Sequence, residues 1–325
     1  MGKGAKGALF VGAVLAVVVG TGVAMWKGAG PLPDPEGCTA KVAGHRVDLS
    51  TEQAENASLI AAIGVRRGLP ARAVSIALAT AYQESKISNI AGGDRDSLGL
   101  FQQRPSQGWG TRKQIMDRYY SINAFYDALE EVDGYQEMRI TEAAQAVQRS
   151  GFPEAYEDHA ADARVLASAL TGYSAGGTFT CVVRHDDGLE SETELNSAGL
   201  TGRAAAVRHS LGKAFGDVPM GGFEPDGVDA GQGDGSADDD GRAIDVFVRP
   251  VNPDNNRRGW SIAAYLVAQA DRLNIDHVIF DDQIWTAGRA SEDGWRDLDP
   301  GDTSGKSDAT IAILEHRDHV HVDVP

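Results

Sequence analysis

Only two cysteines, Cys38 and Cys181, occur in 325 residues, with no Cys-x-x-Cys and no metal-ligand spacing around either. That excludes an iron–sulfur or zinc-finger scaffold and a disulfide-dense miniprotein. Basic charge is also in short supply: 30 Lys and Arg stand against 47 Asp and Glu, a formal net charge of −17. Such a chain repels a polyphosphate backbone, so no nucleic-acid partner is expected. Glycine, at 39 residues, follows no three-residue period, which excludes a collagen-like fibre, and no internal repeat is visible. What is present is 42% apolar and 24% charged residues, the balance of a folded chain, over a length that suits two domains.

The acidity belongs to the second half. Residues 38–181 carry 14 basic and 17 acidic side chains, whereas residues 182–325 carry 13 and 28. The basic N-terminus, with Lys3 and Lys6, precedes nineteen uncharged residues from Ala8 to Trp26. As a helix these would extend roughly 28 Å, enough to span a bilayer once, with the lysines on the cytoplasmic side and everything after Lys27 outside. Two readings stand: a retained single-pass anchor, and a signal segment cleaved near Gly22-Val23-Ala24 to release a secreted protein. Both export the chain, and an oxidising compartment allows Cys38 and Cys181 to pair and staple the ends of the helix-rich segment between them.

These boundaries give a cytoplasmic stub and anchor over 1–28, a Pro/Gly linker over 29–37, a first domain over 38–181, an acidic linker over 182–198 and a second domain over 199–325. The fold class expected is multidomain: an N-terminal transmembrane helix, an all-α domain, then an α+β domain. In the first domain Ser50-Thr-Glu-Gln53 reads as a capping box, the Gly68-Leu-Pro70 breaker ends that helix, and Val74, Ala77, Leu78 and Ala81 mark the apolar stripe of the next. Further helices are expected at about 111–131, 141–150 and 154–170. In the second domain helices are expected at 204–215 and 261–273, strands at 243–248, 277–280 and 319–324, and a Gly/Asp-rich loop at 221–241.

Extending the 74–81 stripe by three residues reaches Glu84. A carboxyl that continues a buried face either finds a hydrogen bond or stays protonated, and a glycosidase needs such an acid to protonate a leaving sugar oxygen. From the residues alone, an exposed Glu84 at the last helical turn stands as the alternative. Ala81-Tyr-Gln-Glu-Ser85 followed by Gly99-Leu-Phe-Gln-Gln-Arg-Pro105 resembles the Glu-Ser and Gly-Leu-Met-Gln blocks of lytic transglycosylases and other lysozyme-fold muralytic enzymes. Tyr120–Tyr126 and Ala143-Ala-Gln-Ala-Val-Gln148 continue the resemblance over about residues 45–170, although the Tyr-Asn of the last block is missing. The resemblance implies Glu84 as general acid, Ser85 in support, and Gln102, Gln103, Gln145 and Gln148 lining a saccharide groove. Trp109, in the loop Gln107-Gly-Trp-Gly110, is a further groove candidate through stacking on sugar faces. Asp94 and Asp96 are the nearby acids that could act as a second carboxylate, against a reading as turn formers.

Residues 236–245, Ser-Ala-Asp-Asp-Asp-Gly-Arg-Ala-Ile-Asp, and 316–321, His-Arg-Asp-His-Val-His, resemble zinc peptidases of the D-Ala-D-Ala carboxypeptidase and lysostaphin group. Their pattern is S-x-H-x-x-G-x-A-x-D with a distant H-x-H. Ser236, Gly241, Ala243, Asp245, His319 and His321 fall in register, and the resemblance implies Asp245 and His321 as ligands with His319 assisting catalysis. Asp238 stands where that family has histidine. An Asp238, Asp245, His321 set is harder and more anionic, so Zn2+ is expected to bind less firmly there, and a working metal site, a metal site without peptidase activity and a metal-free peptide-binding domain all stay open. His316 and His277 read as surface and strand-edge residues.

Together these readings give an extracytoplasmic peptidoglycan-remodelling enzyme: a lytic transglycosylase or lysozyme-like hydrolase joined to an altered metallopeptidase-like domain. The alternatives are a noncatalytic peptidoglycan-binding scaffold and a wall-opening accessory of a secretion or conjugation system.

Overall fold

Gly37–Val42 (β1) and His45–Leu49 (β2) bury alternate side chains, and the Ala43-Gly44 pair between them takes positive φ at both positions, the backbone of a tight two-residue hairpin. The computed structural model describes residues 34–174, 176–185, 189–222 and 237–325. The Ala8–Trp26 run and Ser236 lie outside the described residues, among which no helix is long and apolar enough to cross a membrane. Thr178–Val182 (β3) pairs antiparallel with the other edge of β1, giving the order β2-β1-β3, and Cys38 lies directly across from Cys181. The two form a disulfide. The first half is therefore not all-α, as its helical periodicity suggested. Its strands are five or six residues long, and β3 enters the sheet from far along the chain, so pairing and not local pattern creates it.

Helices fill the span between β2 and β3. Thr51–Arg66 (α1) opens with the capping box of Ser50 and Gln53, and Ala71–Ser85 (α2) starts after the Gly68-Leu-Pro70 break. Every residue of α2 from Ala73 to Ala81 is buried, because alanine-rich faces let α1 and the later helices close on it from several sides. The helix expected over 111–131 is two, Arg112–Met116 (α3) and Arg118–Glu130 (α4). Asp117 leaves the helical conformation between them and caps the Tyr119 and Tyr120 amides. Ile140–Gln148 (α5) follows, then a 3-10 turn at Ala155–His159 that leads into Ala160–Leu170 (α6).

The second half is a six-stranded antiparallel sheet backed by helices. Its elements are Gly202–Phe215 (α7), Met220–Gly221 (β4), Ala243–Phe247 (β5), Pro253–Ala268 (α8), Ala270–Leu273 (α9), His277–Phe280 (β6), Gln283–Thr286 (β7), Arg296–Asp297 (β8), Asp308–Leu314 (α10) and His319–Asp323 (β9). The strand order is β4-β5-β9-β6-β7-β8. Helix α8 begins eight residues before the expected 261, since the Asn252 side chain caps it and Pro253 opens its first turn. Ile244, Val246, Val278, Phe280, Val320 and Val322 turn one sheet face inward, against α8. A Cβ on Gly259 would fall 2.0 Å from the Phe280 ring, so this close approach of helix to sheet requires glycine.

Residues 36–325 pack as one compact unit with a continuous apolar core. Helix α1 lies along α8, and the buried Gln269 amide donates to the Glu55 carbonyl and the Ser58 hydroxyl, both at 3.0 Å. Trp285 Nε1 donates to the Cys181 carbonyl at 3.1 Å. Within the acidic segment 182–198, the Gly288 amide donates to the Val183 carbonyl and the Arg203 amide to Glu192, each at 2.8 Å, while His185 Nε2 lies 2.7 Å from the Ile275 carbonyl. The described part of that segment is tied down along its length.

Candidate functional site

Helix α2 carries the half-buried Glu84 on its last turn, where the negative end of the helix disfavours a carboxylate. Burial pushes the Glu84 carboxyl above the ordinary glutamate range, although hydrogen bonds from Tyr156 and Gln148 favour the anion. Tyr156 Oη donates to Glu84 Oε1 at 2.7 Å. Both partners are neutral, so no neighbouring cation forces ionisation. Since Oε1 is occupied as an acceptor, the acidic proton belongs on Oε2. Tyr156 comes from the 3-10 turn before α6, and burial raises its own pKa, keeping it a donor.

The other residues singled out in this half divide by role. The Ser85 hydroxyl is buried and donates to the Leu100 carbonyl at 2.8 Å, which sews the end of α2 to the 98–103 turn. Gln148 Nε2 donates to the Phe101 carbonyl at 2.7 Å, bringing α5 to the same turn beside Glu84. Gln102 is half-buried, at positive φ, and packs over Gly93. Gln103 is fully buried with its amide donating to the Ser121 carbonyl, so it braces the turn from inside and is withdrawn from any groove. Gln145 exchanges hydrogen bonds with Ser150, and Trp109 is half-buried against the core. Asp94 is exposed. Asp96 accepts from the Ser106 amide, the Ser106 hydroxyl and Arg104 Nε, which hold its carboxyl far below the usual range and fix it as a loop anchor.

On the sheet, strand alternation places His319 and His321 of β9 on one face, and antiparallel register sets Asp245 of β5 opposite His321. His321 Nδ1 lies 3.0 Å from Asp245 Oδ1 and 3.8 Å from Asp238 Oδ1, while its Nε2 lies 3.6 Å from Asp323 Oδ2. With a carboxylate at each ring nitrogen, His321 is pushed up to about 10, and its partner Asp323 is held down at about 2. His319 Nδ1 lies 2.7 Å from Asp318 Oδ1, and the other oxygen of that buried carboxylate accepts from Arg249 Nε at 2.6 Å. This leaves His319 Nε2 facing Asp245, 3.6 Å away.

Asp238 tests whether a cation fits. It is only 8% exposed, and its Oδ1 is buried without a hydrogen-bond partner among the described residues. Ligand atoms of Asp238, Asp245 and His321 all lie within 4.8 Å of one another. An orphaned carboxylate oxygen in a group of two acids and an imidazole is the deficit that a divalent cation would satisfy, so the donor set fits one. The oxygen-rich set suits a harder cation than a cysteine- or histidine-rich site does.

Sequence reasoning missed the role of five residues. His316 is no surface residue: its ring sits 4.6 Å from that of His319, and burial pushes it down to about 4. Asp318 and Asp323 orient the two histidines, and the H-x-H spacing hid them as ordinary neighbours. His277 pairs with Asp323 at 2.9 Å, which raises its pKa. Tyr156, the partner of Glu84, lies 72 residues away in sequence and left no local signal.

Comparison with known proteins finds a partial likeness. Residues 196–309 match the family described as VldE, C-terminal domain, a span that includes Asp238 and Asp245 and stops before β9. No curated protein matches the chain.

Proposed function

We propose that this chain remodels peptidoglycan outside the cytoplasm, cleaving the glycan strand with Glu84 as a single general acid. The observation that carries this reading is the Glu84 carboxyl itself: half-buried at a helix C-terminus, bonded to neutral donors, and shifted toward the protonated form. In the proposed step Glu84 Oε2–H protonates the glycosidic oxygen as the bond to the anomeric carbon breaks. The resulting carboxylate then takes a proton from a hydroxyl of the same sugar, closing an anhydro ring, or from water, giving a reducing end. Tyr156 holds Oε1 throughout and stabilises the transient anion. Asp96, committed to Arg104 and Ser106, is a poor second carboxylate, which favours the transglycosylase course.

The sheet half then grips or processes the peptide stems of the same polymer. Asp238, Asp245 and His321 would hold a divalent cation, and His319, oriented by Asp318, would carry a proton at Nε2. Such a cation, when bound, supplies Lewis acidity toward a peptide carbonyl and its attacking water. The disulfide supports an extracytoplasmic location, and the Ala8–Trp26 run is proposed as the anchor. The experiment is muropeptide release from purified cell walls by the full chain and by Glu84→Gln. Release of anhydro-sugar products by the first and none by the second is the expected result; equal release by both overturns the reading.

A further inference from the structure

The order β5-β9-β6 sets two rows of side chains on the sheet face turned away from α8: Asp245 beside His321, and His277 beside Asp323. Asp323 stands between two imidazoles. Its Oδ2 lies 3.6 Å from His321 Nε2, an ion-pair separation, and both of its oxygens are within reach of His277 Nδ1, at 2.9 and 3.1 Å. Facing a carboxylate, that nitrogen is a donor in the neutral and in the charged ring alike. Side-chain exposure falls from 37% at His277 to 14% at Asp323 and 10% at His321, so the line runs from the rim of the sheet into the cation group.

The His321 ring has two nitrogens, and the acids around it choose between them. Asp245 and Asp238 both approach Nδ1, at 3.0 and 3.8 Å, whereas Nε2 turns the other way, to Asp323. A cation shared with those two acids is reached by Nδ1, and Nε2 keeps its proton toward Asp323. A carboxylate on the far nitrogen fixes the rotation of the ring and makes the near nitrogen a better electron-pair donor. Asp323 can do this only while its own plane is held, because the terminal torsion of an aspartate is broad and its rotation would carry Oδ2 away from Nε2. The forked contact from His277 to both oxygens supplies that restraint.

We infer that His277 is a positioning residue for the cation group: acting through Asp323, it holds the His321 ring so that Nδ1 is the ligand atom. The inference rests on the cation reading of Asp238, Asp245 and His321; the alignment of His277, Asp323 and His321 does not.

The test is calorimetric titration of the full chain with Zn2+, with imidazole 1H–15N spectra recorded before and after. We expect one ion to bind, with the His321 Nδ1 signal moving as the metal-bound nitrogen while Nε2 stays protonated. Asp323→Asn should weaken zinc by about 10–100-fold and His277→Phe, which keeps a ring but loses the donor, by about tenfold. His277→Asn, whose amide can donate from near the Nδ1 position, should stay within about threefold of the unaltered chain, a rescue that a merely space-filling role would not show. A His277→Phe chain that binds zinc as tightly as the unaltered one, or zinc found on Nε2, overturns the inference. Two bound ions, the second lost in His277→Phe, would make Asp276, His277 and Asp323, whose ligand atoms also lie within 4.8 Å of one another, a ligand group in their own right and overturn the positioning role. An unaltered chain that takes up no zinc removes the cation reading and this inference together, whereas zinc uptake indifferent to His277 removes the inference alone.

Discussion

The two halves bury carboxyl groups in opposite ways. At the end of α2 one half-buried acid faces neutral donors, and desolvation lifts it toward the protonated form. On β5 and in and just before β9, Asp318 is buried and Asp245 and Asp323 are half-buried, yet all three are held below the ordinary aspartate range because histidines, and in one case Arg249, face them. Asp238 alone in that cluster is raised, and it alone has an orphaned oxygen. Burial by itself therefore decides little; the charge and hydrogen-bonding character of the immediate partners sets whether such an acid is held toward its protonated or its ionised form.

The sharpest break of this contrast is Glu84→Gln, which preserves shape and hydrogen bonding but removes the acidic proton; we expect the proposed muralytic activity to fall by about 10³-fold or more in a muropeptide release assay. On the sheet, Asp245→Asn should weaken zinc or manganese binding by about 100-fold in calorimetry, while Asp238→His should tighten zinc by about tenfold or more. An unaltered protein that takes up no divalent cation would remove the ligand role from this cluster. The covalent tie in the helical half is tested by Cys38→Ala with Cys181→Ala. Opening a loop with a sequence separation of 143 should cost about 2–5 kcal/mol, seen as a lower denaturant midpoint.

Two smaller effects refine the helical site. Activity that needs protonated Glu84 declines as pH rises through its folded pKa, which lies above the unfolded value of 4.5. Tyr156→Phe removes a donor that favours the anion, so that alkaline limb should move to higher pH with a loss of less than about tenfold at the optimum. A limb that moves to lower pH would contradict the hydrogen-bond assignment. The stability linkage has the same sign: the half-buried neutral carboxyl favours the fold at low pH, and this contribution is lost as pH rises through the folded pKa. Asp96→Asn should leave turnover within about twofold, because its carboxyl anchors a loop; a loss of 100-fold would restore it as a second catalytic carboxylate.

How much of this was legible beforehand varies with the range of the interactions. The capping box at Ser50, the break at Gly68–Pro70 and the stripe leading to Glu84 are local, and the structure places helices where they indicate. The alternation of His319 and His321 likewise needs only the strand period. The division of 111–131 at Asp117 and the early start of α8 turn on single capping side chains, which a periodicity reading overlooks. The burial of Gln103 was not legible, because a motif names residue types without telling which way a side chain points.

By itself the sequence determined the helical periods, the strand faces and the identity of Glu84, Asp245, His319 and His321 as groups worth attention, because each depends on neighbours within a turn or two of chain. Only the tertiary structure decided what those groups face. Tyr156 against Glu84, Asp318 and Asp323 against the histidines, His316 inside the cluster and Cys38 across from Cys181 all arise from contacts between distant segments. Proton affinity and ligand fit follow from desolvation and from charges a few ångströms away, and those distances exist only once the chain has folded.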